Sequence, residues 1–273
     1  MRRHPGLPLA RLLLFNTRFR FIAFPTLCYQ TTYPRTGAIR VKWLMKRLGE
    51  LLLTITVQGL IFNQMMLPVL LESLEKMKQG VEISMGQYVQ ATHAPRTHMY
   101  AHTRPLFLRY VLNLAVPVLF CWLCMFYGMF HLWLNILAEV TYFGDRLYYK
   151  AWWNATRLDV YWRDWNIPVH AWLVRHVFFP SMNMGLSKPV SMFLVFFVSA
   201  VAHEVLVSVP CHTNSLYAFW GMMAQVPLIA LTGMIDKYNK GSQIGNFIFW
   251  ISFCIVGQPL CILLYFMEVA TKF

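Results

Sequence analysis

The sequence has 273 residues, of which 58% are hydrophobic and only 13% are charged. Because ordinary soluble domains carry about 25% charged residues, this composition excludes an average soluble protein and predicts that the chain lies in a lipid bilayer. The net charge of +13 arises from basic residues that flank apolar runs, a pattern typical of contact with anionic lipid headgroups and not of a nucleic-acid-binding protein.

The N-terminal part is basic, and its short leucine patch is interrupted. No small-residue cleavage site follows the patch, so it does not resemble a secretory signal. Residues 1–20 are therefore predicted to be a divergent, uncleaved, cytosolic N-terminus.

Five apolar runs are long enough to cross a bilayer, which requires about 20 residues per helix. They are Leu51–Leu71, Leu108–Val140, Val190–Pro210, Leu216–Met234 and Phe247–Met267. The second run exceeds one perpendicular span, so we expect a kink at Pro117 or an end that continues into the interface. Residues 82–105 are polar and rich in histidine, which predicts an inserted, solvated loop and not a metal site.

Basic residues are dense in residues 1–50 and again in residues 141–189. The positive-inside rule predicts that both segments are cytosolic, and hence that residues 73–107 and the C-terminus face the lumen. Aromatic residues also accumulate in residues 141–189, as is typical where water meets lipid. Within this segment, Pro168–Phe179 is predicted to be an amphipathic helix lying in the interface.

The pair His203-Glu204 lies inside an apolar run. An ionisable residue is expensive to place in a bilayer, so it suggests a functional site. Burial disfavours a charged imidazole, which suits a general base, and Ser199 lies one helical turn earlier on the same face. The alternative is a histidine that is merely packed in the core.

Four further polar residues are candidates for the same site. Gln225 and Gln258 lie in apolar runs, where they could either bond neighbouring helices or line the same cavity as His203. Asn166 precedes Pro168 and is predicted to cap the interfacial helix. His170 follows one turn later and would face the same way as Asn166.

An ordered set of motifs resembles one known family. The motifs are Pro25-Thr-Leu-Cys-Tyr29, Tyr148-Tyr-Lys-Ala-Trp-Trp-Asn154, Trp165-Asn-Ile-Pro-Val-His-Ala-Trp172, His203-Glu204 with Ser208-Val-Pro210, Gly221-Met-Met-Ala-Gln225 and Gly257-Gln-Pro259. They resemble the membrane-bound O-acyltransferase superfamily, and within it the type 1 diacylglycerol O-acyltransferases. The resemblance covers residues 21–273.

This resemblance implies an all-α, multi-pass helical bundle in the endoplasmic reticulum membrane. It implies acyl transfer from acyl-CoA to diacylglycerol, with no cofactor and no metal, and association with another copy of the chain. The implied catalytic residues are His203, as base, and Asn166; Glu204, Ser199, His170, Gln225 and Gln258 are expected to support them. The residues implied in acyl-CoA binding are Tyr148, Tyr149, Trp152, Trp153 and Asn154.

Two departures from the family pattern favour keeping other hypotheses open. Ala151 stands where the family motif usually has aspartate, and the early spans of the family are missing. The chain is therefore either an active acyltransferase or a non-catalytic membrane subunit that associates with a full-length partner. A transporter with a polar pathway is a third hypothesis, which the ordered motifs disfavour.

Overall fold

The computed structural model describes residues 21, 23–30, 32–78 and 100–272, with only the backbone described for 78 and 100–106. Apart from an isolated β-bridge between Arg35 and Phe143, the regular structure of these residues is helical. The all-α prediction is therefore confirmed. The predicted residues 1–20 and most of the predicted insertion at 82–105 lie outside the described residues.

Five helical segments are long and apolar enough to span a membrane. They are Val41–Met77, Phe107–Val140, Lys188–Cys211, Tyr217–Tyr238 and Ile244–Ala270, here called spans 1 to 5. Each corresponds to one apolar run of the sequence. Helices suit this environment because all their backbone groups are bonded internally, and lipid offers no substitute partners.

The spans are not uniformly α-helical, and several contain π-helical stretches. Span 1 lies within α1 (Val41–Ile61), π1 (Phe62–Met66) and α2 (Leu67–Lys78). Span 2 lies within α3 (Tyr100–Phe126), π2 (Tyr127–Trp133) and α4 (Leu134–Val140). Between spans 2 and 3 lie α5 (Leu158–Asp164), α6 (Ile167–Leu173), π3 (Val174–Phe178) and α7 (Phe179–Asn183). Span 3 is α8 (Lys188–Cys211). Span 4 contains α9 (Tyr217–Met223) and α10 (Gln225–Tyr238). Span 5 contains α11 (Ile244–Phe249), π4 (Trp250–Gly257) and α12 (Gln258–Ala270).

Two local expectations can be compared with these bounds. Span 2 remains α-helical through Pro117 and becomes irregular only at π2. The helix predicted at Pro168–Phe179 exists, but it runs from Ile167 to Asn183 with π3 in its middle. Its location in the membrane interface stays a prediction.

Span 2 lies at the centre of the bundle and packs on both span 1 and span 5. Towards its N-terminal end it contributes Tyr110, Leu114 and Val118 to an apolar cluster that includes Leu263 of span 5. Towards its C-terminal end it enters a second group, here called the aromatic cluster. The buried members of the aromatic cluster are Trp122, Phe126, Phe130, Trp152, Ala155, Leu158, Tyr161, Phe249 and Cys254.

The two basic segments are in direct contact. The Gly144 amide donates to the Pro34 carbonyl over 2.8 Å, and a Cβ at Gly144 would lie only 3.0 Å from the Pro34 backbone. Glu139, fully buried at the end of span 2, pairs with Arg40 and Arg146 at 2.8 and 2.7 Å. These contacts place both basic segments on one side of the bundle, as the charge pattern predicts; that this side is cytosolic stays a prediction.

Candidate functional site

His203 lies on α8 and is half-buried. Its Nδ1 atom is 2.7 Å from the Ser199 carbonyl oxygen and 3.5 Å from the Ser199 hydroxyl. A carbonyl oxygen can only accept, so Nδ1 must carry a proton and donate it. The neutral ring therefore presents the lone pair of Nε2, the atom that a general base uses.

His203 lines a partly open cavity of about 300 Å³ bordered by α5, α6, π3 and α8. Ser199, Asn166 and His170 line the same cavity, so the structure brings together four of the predicted site residues. The apolar part of the wall comprises Trp162, Trp165, Val169, Leu173, Val174, Phe178, Met192, Val195 and Phe196. A few polar groups in a mostly apolar pocket are typical of a binding site for a largely apolar ligand.

Asn166 immediately precedes α6 and caps it, as the sequence predicts. Its Oδ1 accepts a hydrogen bond of 3.2 Å from the Val169 amide, and Pro168 occupies the first turn, where no amide hydrogen is needed. In the described part of the chain the Nδ2 group of Asn166 has no hydrogen-bond partner. It is thus a free donor on a residue that lines the cavity.

His170 lies within α6, one turn after Asn166. Burial lowers the pKa of its imidazole, the nearby Arg163 lowers this pKa further, and Asp164 opposes both effects. Arg163 also lines the cavity and pairs with Asp164 over 2.9 Å. This hydrogen bond to Asp164 is the main reason that the pKa of Arg163 is raised. The histidine is thereby favoured in its neutral form beside a fixed positive charge.

Glu204 does not reach the cavity, although it is adjacent to His203 in sequence. Its Oε2 atom accepts from the Tyr265 hydroxyl at 2.7 Å and from the Phe219 amide at 3.1 Å. The Tyr265 oxygen in turn accepts from the Ala218 amide at 3.0 Å. The buried carboxylate thus joins span 3 to the first turn of α9 and to span 5.

The two predicted glutamines do not line the cavity either. Gln225 is buried at the start of α10, and its side-chain amide donates to the Gly221 carbonyl at 3.3 Å. Gln258 begins α12, directly after π4, and its buried Oε1 atom has no hydrogen-bond partner in the described chain.

The segment Tyr148–Asn154 lies against span 2 and not at the cavity. Trp152 is 1% exposed within the aromatic cluster, while Trp153 is 42% exposed and Asn154 is exposed too. The Tyr148 side chain is buried and its hydroxyl donates to the Leu134 carbonyl at 3.3 Å. Burial raises the pKa of the Tyr148 hydroxyl well above its ordinary value.

Tyr149 contacts a residue that the sequence reasoning missed. Its hydroxyl is 2.8 Å from Nδ1 of His131, which lies in π2 of span 2. The signal was available, because His131, like His203, is an ionisable residue inside an apolar run. His131 has no neighbouring acidic residue in sequence, unlike His203, which precedes Glu204.

Comparison with known proteins agrees with the helical, membrane-spanning architecture. The model of "MBOAT, membrane-bound O-acyltransferase family" matches residues 82–267. Diacylglycerol O-acyltransferase 1 of Corylus americana is 44% identical over 258 residues, which are 94% of this chain and 44% of that protein. Diacylglycerol O-acyltransferase 1-1 of Oryza sativa subsp. japonica is 44% identical over 252 residues, covering 92% of this chain and 43% of that protein.

A more distant relative shows the same pattern. Diacylglycerol O-acyltransferase 1 of Dictyostelium discoideum is 40% identical over 255 residues, covering 93% of this chain and 37% of that protein. The chain thus spans less than half the length of the relatives it matches. The family match and these similarities extend through the cavity and all residues that line it. The chain belongs to the membrane-bound O-acyltransferase family.

Proposed function

We propose that the chain transfers a fatty acyl group from acyl-CoA to the free hydroxyl of diacylglycerol in the endoplasmic reticulum membrane. The observation that carries this proposal is the cavity in which His203, with Nδ1 bonded to Ser199, faces the same space as the free amide of Asn166. The names of the relatives supply the acceptor, the motif resemblance implies acyl-CoA as the donor, and the geometry of the cavity suits this chemistry.

In the proposed reaction, Nε2 of His203 takes the proton of the diacylglycerol hydroxyl as its oxygen attacks the thioester carbonyl carbon. The tetrahedral intermediate then collapses, the carbon–sulfur bond breaks, and the imidazolium returns the proton to the leaving CoA sulfur. The Ser199 carbonyl accepts from Nδ1 throughout and so stabilises the positive charge that develops on the ring. General-base catalysis of this type contributes about 10²–10⁴-fold to a rate.

Asn166 is proposed to bind the negative charge that develops on the thioester oxygen. Its Oδ1 is held by the Val169 amide, so Nδ2 is oriented before substrate arrives. A preorganised donor costs no reorganisation during the reaction, and loss of one such donor typically lowers kcat by about 10²–10³-fold.

The apolar wall has a chemical role in this proposal. Phe178, Val195 and Phe196 border the same cavity as His203, and apolar side chains there disfavour water as a competing acceptor for the acyl group. When both largely apolar substrates are bound in one pocket, the reaction step no longer carries the loss of translational and rotational entropy of bringing them together. The mechanism uses acyl-CoA as a substrate and requires no cofactor.

A second candidate function is a non-catalytic subunit. It is favoured by one observation, Ala151, which stands where the family motif usually has aspartate. In that case the chain would retain the fold and associate with a longer acyltransferase. Association of two copies of this chain is expected under either function.

The decisive experiment measures triacylglycerol formed from labelled oleoyl-CoA and diacylglycerol by microsomes that express the chain. We expect His203→Ala to lower the rate by about 10²-fold or more, with expression unchanged. His176→Ala is the matched control, because His176 is exposed and does not line the cavity.

Two results would count against the proposal. Full activity in His203→Ala would show that another group is the base. No activity in the wild-type chain, restored only on co-expression with a full-length relative, would favour the subunit function.

A further inference from the structure

The stretch π2 in span 2 contacts the segment that holds Asn166 by two routes. His131 meets the Tyr149 hydroxyl at 2.8 Å. Phe130, the preceding residue, packs edge-on against Trp165 with ring centroids 5.2 Å apart. Long π-helical stretches are rare and are often found at functional sites. This one places two consecutive side chains against Tyr149 and against Trp165, the residue directly before Asn166.

The backbone around Tyr149 is paired with the backbone around Asn166. The Ile167 amide donates to the Tyr148 carbonyl at 2.9 Å, and the Lys150 amide donates to the Asp164 carbonyl at 2.7 Å. These two bonds flank Asn166 on both sides. Any displacement of Tyr149 is therefore transmitted directly to the residue that caps α6.

The surroundings of His131 define its hydrogen-bond roles. Arg47 Nη1 lies 3.5 Å from Nε2, and a guanidinium can only donate, so Nε2 is the acceptor. Nδ1 then carries the proton and donates it to the Tyr149 oxygen. Tyr127 stacks on the imidazole at 4.9 Å, and Arg47 is itself paired with Glu50 at 2.6 Å.

We propose that His131 and Tyr149 are positioning residues that hold Asn166 in its catalytic place. This proposal rests on the proposed function. It gives Tyr149 a role different from the acyl-CoA contact that the family resemblance implies, since Tyr149 does not line the cavity and its hydroxyl is already used by His131. His131 of span 2 fixes the position of Tyr149, and the Tyr148–Lys150 backbone in turn fixes the position of Asn166, the cap of α6.

The test compares Tyr149→Phe with Tyr127→Phe. Both remove one hydroxyl, but in the described chain the Tyr127 hydroxyl has no hydrogen-bond partner. We expect Tyr149→Phe to lower kcat about tenfold, as misplacement of a catalytic group does, with KM for acyl-CoA unchanged, and Tyr127→Phe to leave both values unchanged. A rise in KM at constant kcat would show direct binding and overturn the proposal.

A double-mutant cycle tests whether the effect passes through Asn166. If it does, Tyr149→Phe has no further effect on kcat in the Asn166→Ala background, because coupled residues are non-additive. Independent, multiplicative losses would contradict the proposal. His131→Asn, whose amide can donate from near the position of Nδ1, should retain most activity, whereas His131→Leu should not.

Hydrogen exchange gives a readout that does not depend on activity. The Ile167 amide is bonded to Tyr148, so the peptide covering residues 166–173 should exchange faster in Tyr149→Phe than in the wild type or in Tyr127→Phe. Unchanged exchange would overturn the proposed positioning. If the wild-type chain makes no triacylglycerol, the proposed function fails, and this exchange measurement alone decides whether His131 and Tyr149 position Asn166.

Discussion

Neighbouring residues on α8 serve different purposes because consecutive side chains of a helix point about 100° apart. His203 faces the cavity, whereas Glu204 is 6% exposed and bonded to Tyr265 and Phe219. The sequence predicts that Glu204 supports His203. In the structure the carboxylate lies outside the cavity and bonds span 3 to α9 and span 5.

Glu204→Ala is predicted to destabilise the protein by about 1–3 kcal/mol, because the Tyr265 hydroxyl and the Phe219 amide lose a buried acceptor. Thermal unfolding in detergent should show a lower Tm. Glu204→Gln retains an oxygen acceptor and should lie closer to the wild type. Equal Tm values for the alanine variant and the wild type would show that the carboxylate does not join the spans.

At the scale of elements, the Tyr148–Asn154 segment is attached to span 2 through Trp152. Trp152 enters the aromatic cluster, where its ring meets Trp122, Phe126 and Tyr161 edge-on at centroid distances of 5.0, 5.0 and 5.8 Å. Edge-to-face pairs of this kind add to the stabilisation that burial provides. The segment thereby ties α5 and the cap of α6 to span 2.

The two adjacent tryptophans provide a matched test of how much this packing contributes to stability. Trp152→Ala is predicted to cost about 3–5 kcal/mol, since it leaves a cavity in a packed cluster. Trp153→Ala should cost below about 1 kcal/mol, because Trp153 is 42% exposed and is not a member of the aromatic cluster. Thermal unfolding of both variants measures the difference, and similar Tm values would contradict the buried role of Trp152.

At the scale of the whole molecule, three loops meet on one side of the bundle. Residues 34–40 contact residues 139–146, and the Asn246 side chain donates to the Trp153 and Ala155 carbonyls at 2.9 and 3.0 Å. At the opposite end, Lys272 donates to the His212 carbonyl at 2.8 Å. If each of the five spans crosses the membrane once, successive connections lie on alternating sides. The contacts at the two ends of the bundle agree with this alternation.

The glycosylation state of Asn154 tests which side is cytosolic. Asn154-Ala-Thr156 is an acceptor sequence, and Asn154 is exposed. If the basic side is cytosolic, Asn154 stays unmodified, while an acceptor sequence in a C-terminal extension is glycosylated. A glycosidase-sensitive mass shift mapped to Asn154 would reverse the predicted orientation.

The sequence by itself determined the elements that depend on local composition. The five spans follow from apolar runs of sufficient length, and the Asn166 cap follows from an amide side chain two residues before a proline. His203 was identifiable because an ionisable group in an apolar run is costly, so its presence requires a reason. The same argument applies to His131, which also lies in an apolar run.

Tertiary structure decided which of these residues share a space. Asn166 and His203 are far apart in sequence. They line one cavity because the helical stretch that begins with α6 packs against α8 through π3. Gln225 and Glu204 carry equally conspicuous polar groups, yet they bond to other parts of the bundle, and Gln258 does not line the cavity either. Hydrophobicity and capping act locally and can be read along the chain, whereas the direction of a side chain depends on helix rotation and packing, which long-range contacts determine.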